Sequence, residues 1–410
     1  ELDLGAAGGN LVIVEFQAFV VGEENSPFSA SLLENNSYLD GILTRSIIKR
    51  AIMKKTILSI PIIAITACNP NTTYTIKVET GSDISAFSDR IKELDLIPLS
   101  TDDTHLLGTQ INLIPTDDGY IVLDVPNSKI YHYDLNGAFV NVIGRKGRGP
   151  GEYNSLLNAE LAGDSLYVFS APQKMQCFSL DGRLLSEKKI PALGRQSYIF
   201  RSDTLNYHDF SPTKKDRLVV TSSNGERKYL HTKASVLPFT MSSPRFSSDG
   251  NSVFLIDSYS PVIYQYKNLQ LSEHLRFDFG KYAVPETFFS AGDPYKAATI
   301  LLESDFAVIN RYLETPEIKI VEVMTQSNGD VKFIYGLYDK KWTWLDCSGH
   351  GEALKESVKA AKGKTIFALL DPQMLMHLAE SQVLDKANNK EILKHISEND
   401  NYVIVKIELK

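Results

Sequence analysis

The amino-acid sequence predicts an all-β fold, a six-bladed β-propeller of four-stranded antiparallel blades with short helices near the C-terminus. Three observations carry that prediction: a three-strand meander between Gly119 and Tyr153, its recurrence along the chain, and an alternating last segment suited to closing a ring.

The meander begins with the apolar run Ile121–Leu123, which ends at Asp124. Val125-Pro126-Asn127-Ser128 follows with turn chemistry, since proline presets φ while Asn and Ser bond back to the backbone. Ile130, Tyr131 and Tyr133 form a β-branched and aromatic run. Asn136-Gly137 then signals a two-residue hairpin of type I′, after which Phe139, Val140, Val142 and Ile143 resume a strand. A meander of this size needs neighbours to bury its faces.

The neighbours are supplied by repetition. Asp164–Ile190 repeats the design, with Pro172 and Asp181-Gly182 as its turns, and Asn251–Phe279 repeats it again. Weaker copies start near Tyr198 and Phe306. A multi-strand unit recurring every roughly 40 to 50 residues marks a propeller. Blades are expected at 111–143, 157–190, 197–232, 245–280 and 306–345.

The tail is expected to complete the ring. Glu352–Ala361 and Pro372–His395 carry helix-forming residues, and Asp371-Pro372 suits an N-cap and first helical position. Thr365–Leu370 reads as a strand, and Tyr402–Leu409 alternates as a half-buried strand does. Pairing that last strand with one inside Tyr74–Leu99 makes a sixth blade from both ends of the chain and removes sheet edges.

Residues 1–52 fit no blade and are expected to be an upstream or non-native extension. Met53 opens a more defined segment: Lys54 and Lys55, the apolar run Ile57–Ile65, then Ile65-Thr66-Ala67-Cys68 as a small-residue cleavage site. The apolar run is too short to cross about 30 Å of hydrocarbon. Residues 53–67 are therefore expected to be a signal peptide, 68–73 a polar tether, and 74–410 the propeller.

A family resemblance rests on these residues. Asp124-x-x-Asn127, Asn136-Gly137 and Ile143-Gly144-Arg145-Lys146-Gly147-Arg148-Gly149-Pro150-Gly151-Glu152-Tyr153 together resemble an NHL-repeat blade. More closely, the stretch from about Tyr74 to Lys410 resembles the six-bladed β-propeller lipoproteins of Gram-negative gut bacteria. The tetrapeptide ending at Cys68 is similar to a lipobox, with Ile65 where Leu is more usual. The resemblance implies that Cys68 is lipidated and anchors the protein to the outer membrane. No acidic cluster follows Cys68, which favours the periplasmic face over the cell surface.

Several segments are candidates for chemistry. A net charge of −7 argues against nucleic acid as a partner. Cys68, Cys177 and Cys347 make neither a disulfide framework nor a metal spacing, and none of the scattered histidines (His132, His208 beside Asp209, and His350 among them) has a second His or Cys at metal spacing. No metal site and no cofactor are expected. Arg145, Lys146 and Arg148 lie on a glycine-rich loop that can cradle phosphate, sulfate or uronate; the plainer reading is a blade connector whose cations are solvated. Trp342 and Trp344 share one face of a strand, either as an exposed platform for sugars or partners or, more simply, as core. Asp124 and Asp257 are expected to hold turns. The reading that follows is a binding module for a glycan, peptide or envelope protein. The alternative is a lyase or lactonase-like hydrolase with a channel metal, which rests on fold analogy.

Overall fold

The structure is a computed structural model that describes residues 88–190, 193–194, 196–208, 216–231, 245–346, 357–379 and 383–410. The extension, the signal segment, the tether with Cys68, and also Cys347 and His350, lie outside the described residues.

Six four-stranded sheets form the ring. Blades one to five span 111–142, 155–189, 196–231, 246–276 and 306–346, close to the predicted bounds. Every neighbouring strand pair within them is antiparallel. Blade six joins both ends of the chain in the order Ile91–Pro98, Val403–Leu409, Thr365–Leu370, Val358–Lys362. Its register runs from Ile91↔Leu409 to Pro98↔Val403 on one side of the last strand and from Thr365↔Glu408 to Leu370↔Val403 on the other. The predicted closure is therefore the one the chain adopts.

Neighbouring blades meet through their innermost strands, such as Ser155–Ala162 against Gln196–Phe200 and Phe246–Ser248 against Phe306–Glu314. Apolar clusters fill the wedges between blades. Ile121, Ile130, Leu156 and Val168 fill the first, and Phe254, Ile263, Val323 and Trp344 fill the fourth. Because each blade has a neighbour on both sides, central strands such as Gly119–Asp124 are covered on both faces, whereas outermost strands such as Leu184–Lys189 stay largely exposed. Val403, Val405 and Ile407 pack in one wedge while Ile404 packs in the next, all fully buried. The half-buried strand that alternation predicted is thus buried on both faces, with only Lys406 and Glu408 partly exposed.

Three local expectations are corrected. The Asn136-Gly137 hairpin is not a type I′ turn. The Gly137 amide donates to Asp134 O at 3.0 Å and only Gly137 takes positive φ (82°), which makes a three-residue loop with a bulge. The Asp134 carboxylate selects that loop by accepting from the Asn136 and Ala138 amides at 2.8 and 2.9 Å. The helix expected over Glu352–Ala361 is, where described, the strand Val358–Lys362. Its helix-forming alanines yield to the pairing of Val358 with Ala368 and to a tight turn at Gly363 (φ 59°).

The helix expected over Pro372–His395 is an α-helix only over Pro372–Ala379, where the Asp371 carboxylate accepts from the Met374 amide at 2.7 Å as a cap does. Beyond it come two 3₁₀ turns, Leu384–Lys386 and Lys390–His395. Between them the chain is drawn to the outer edge of blade six. There the Asn388 amide donates to Leu94 O at 2.9 Å, and the Asn389 side chain bonds both N and O of Leu96 at 3.0 and 2.8 Å. An edge strand left bare is a pairing hazard, and this segment covers it.

The two faces of the ring differ. The turns 116–118, 163–164, 249–252 and 363–364, which join inner strands, lie on one face and are tight. The connections 99–110, 144–154, 277–305 and 371–402 lie on the other, and they carry the helices.

Candidate functional site

The glycine-rich connector leaves blade one on the long-connection face. Gly144 takes φ 66°, and a Cβ there would press on the Tyr153 ring at 2.7 Å. Gly151 takes φ 74°. These two reversals let Arg145–Lys146 run parallel to Glu152–Tyr153, paired Arg145↔Glu152 and Lys146↔Tyr153. Tyr153 is fully buried and its hydroxyl donates to Ile143 O at 3.3 Å. The connector is fixed to blade two by Lys174 Nζ and Gln176 Nε2, which donate to Glu152 O at 3.1 and 3.2 Å.

Glu152 organises the loop. Its carboxylate accepts from the Gly149 amide at 2.8 Å and from Arg145 Nε at 2.7 Å. The amide bond, aided by the arginine, holds its carboxyl below the usual range. A Cβ at Gly147 would press on that carboxylate, so a larger residue there would have to displace the Glu152 side chain. Of the three predicted cations, Arg145 is ion-paired yet 78% exposed, and Lys146 and Arg148 are also exposed.

Arg145 and Lys146 form one wall of a cleft of about 300 Å³. The opposite side brings residues from two other segments: Lys129 and Tyr131 of blade one, and Thr104 and His105 of the connector from blade six. Lys129 Nζ stands 5.8 Å from the centre of the Tyr131 ring. His105 stacks on Phe139 at 3.9 Å, meets Tyr131 edge-on at 5.8 Å, and bonds Asp102 Oδ2 through Nδ1 at 2.6 Å. The hydroxyl of Thr104, together with His105, keeps the Asp102 carboxyl well below its ordinary range. Tyr131 is buried, and among the described residues its hydroxyl has no hydrogen-bond partner. The cleft thus gathers three cationic side chains over the Tyr131 and His105 rings, of which only His105 is partly exposed.

A family model matches residues 73–408. The chain belongs to the DUF4934 family, described as a domain of unknown function. No curated protein matches it. Among solved structures, this DUF4934 chain is similar to a Bacteroides fragilis protein described as exported. That match has 23% identity, covers 78% of this chain and 95% of that one, and has a TM-score of 0.63. It is also similar to a Bacteroides vulgatus member of the DUF4221 family, at 10% identity, covering 78% and 97% of the two chains with a TM-score of 0.46.

The remaining candidates are placed as follows. Trp342 and Trp344 are 7% and 5% exposed, stack at 5.7 Å, and Trp342 meets Phe277 of the preceding connection at 6.2 Å. They share a face as period two predicts, but blade four covers that face, so the pair is core and not a ligand platform. Asp124 holds its turn, accepting from Asn127 N and Nδ2 at 3.2 and 2.9 Å and from Gly108 N at 2.9 Å. Asp257 also ties blades together, accepting from Arg217 Nη1 at 2.9 Å and the Tyr207 hydroxyl at 2.8 Å. His132 is buried, with Nδ1 3.2 Å from Asn141 Oδ1. Cys177 is a buried, unbridged thiol. Among the described residues no three His, Cys, Asp or Glu side chains gather as a metal-ligand set.

Sequence reasoning passed over the polar groups of the innermost strands. In Ser155–Ala162, Asn158 reaches the next blade, donating to Ser197 O at 2.6 Å and accepting from its amide at 3.0 Å. Glu160 lies two residues on, and burial pushes its carboxyl up to about 8 against the opposing Asn158 bond. The available signal was a carboxylate interrupting a run of apolar residues.

Proposed function

We propose that this DUF4934 chain is an exported, lipid-anchored binding module of the cell envelope, and that its cleft takes an acidic glycan. The observation that carries the reading is the convergence of Lys129, Arg145 and Lys146 around the Tyr131 and His105 rings. Cations bind carboxylate or sulfate groups, and the partly exposed His105 ring offers a sugar an aromatic contact above the buried Tyr131. Export is supported by the likeness to a protein described as exported and by the signal-like segment that ends at Cys68. Anchoring at the periplasmic face of the outer membrane extends that support through the lipobox-like tetrapeptide.

The test is binding of matched acidic and neutral oligosaccharides to the full chain and to Lys129→Ala and Lys146→Ala. Losing one charge-assisted contact should weaken acidic binding by roughly tenfold or more and leave any neutral binding unchanged. Raising salt should weaken the wild-type interaction in parallel. Acidic peptides bound in preference to acidic glycans would redirect the ligand class. Equal affinity for acidic and neutral sugars, or no effect of either substitution, would remove the cleft from the function.

A further inference from the structure

Arg245 stands immediately before the innermost strand of blade four, Phe246–Ser248, at the ring's long-connection face. Its backbone is fixed on both sides: its amide donates to Gln196 Oε1 at 2.6 Å, and its carbonyl accepts from the Ile256 amide at 2.9 Å. Its side chain is 1% exposed and among the largest fully buried in the protein. Among the described residues none offers an acceptor to its Nε, Nη1 or Nη2. Arg217 is a control within the same molecule, comparably buried at 6% but paired with Asp257 at 2.9 Å. Asp257, the carboxylate next to Ile256, is thus already committed to Arg217 and to the Tyr207 hydroxyl.

The side to which Arg245 belongs follows from its neighbours. Phe246 packs on Tyr198 and Tyr207 of blade three, so Arg245 and Ser247 fall on the opposite side, towards blade five. Ser247 pairs across to Phe254, which meets Tyr312 of blade five at 5.8 Å. Two more buried hydroxyls in this wedge lack partners among the described residues: Ser247 Oγ, and the hydroxyl of Tyr282 on the 3₁₀ turn Gly280–Tyr282 beside the inner strand of blade five.

An arginine cannot shed its proton to escape burial. Water can satisfy its donors but supplies no opposite charge, and an uncompensated buried ion is strongly destabilising. We propose that Arg245 anchors an internal oxyanion site between blades four and five, at the end of the ring where the long connections gather. Its planar fork matches a sulfate, phosphate or carboxylate group, with Ser247 and Tyr282 as further donors in the same wedge.

The experiment is thermal unfolding of the full chain and of Arg245→Met in sodium sulfate, phosphate and acetate, against sodium chloride of equal ionic strength. Wild type should gain a saturable rise of roughly 5 °C in at least one oxyanion, above the unsaturable rise that excluded salts give any protein. Arg245→Met should lose the saturable part. Without oxyanion it should melt at or above the wild-type temperature, because the buried charge is gone; an arginine held only for packing would lower it. Equilibrium dialysis of radiolabelled sulfate and phosphate and of ¹⁴C-acetate against wild type covers the case in which the variant does not fold, with one oxyanion bound per chain expected. No saturable shift in wild type, the same shift in Arg245→Met, or no bound oxyanion in dialysis would each overturn the proposal. Cleft binding of glycans is read separately, so either result stands without the other.

Discussion

At the scale of single residues, charge and burial decide which groups can be altered. Glu314 is buried at the junction of blades four and five, where it meets His274 Nε2 at 2.8 Å and also Lys319 and the Tyr312 hydroxyl. Burial alone would raise its carboxyl, but the His274 bond and charge, with Lys319, outweigh it and hold the group below its ordinary 4.5. A depressed folded value means this stability is present above the unfolded value and is lost as pH falls through the folded one. Glu314→Gln should therefore cost about 2–3 kcal/mol at pH 7 and flatten the decline below about pH 4.5. Melts of both proteins from pH 3 to 7 check this, and parallel curves would show that Glu314 does not set the acid limb. The sequence offered no warning of the junction, because His274 and Glu314 lie in different blades and meet only when the ring forms.

At the scale of elements, the last strand is the one that cannot be spared. Val403–Leu409 lies between Ile91–Pro98 and Thr365–Leu370, and its removal separates the N-terminal strand from the rest of blade six. Val403, Ile404, Val405 and Ile407 are fully buried, each contributing roughly 1.5–3 kcal/mol as an upper estimate. Their sum is comparable with a domain's whole net stability of about 5–15 kcal/mol. Deleting residues 401–410 should abolish the single cooperative transition for all six blades, read by calorimetry. A truncated chain that still melts cooperatively near the wild-type temperature would mean the ring is fastened elsewhere. The alternation of this strand was legible in the sequence. The burial of Ile404 was not, because its cover comes from blade one.

At the scale of the whole molecule, the two faces of the ring are unequal. Tight turns occupy one face, while the connector cleft, the helices and Arg245 gather on the other. The lipid anchor proposed at Cys68 would hold this assembly at the membrane, so Cys68→Ala should abolish palmitate labelling and release the protein from the outer-membrane fraction; labelling that persists would exclude the anchor. What the sequence determined by itself is the repeat, and with it the blade bounds, the closure by both ends, and the connector at Arg145–Tyr153. Those features are written in short-range chemistry: glycines at reversals, Asp and Asn at turns, and apolar residues every second position. Tertiary structure alone decided which faces of the strands are covered, so the Trp342–Trp344 pair became core. It also gathered His105, Lys129 and Arg145 into one cleft and left Arg245 buried without a counter-charge. Burial and charge pairing between blades depend on residues far apart in the chain, and only the closed ring brings them together.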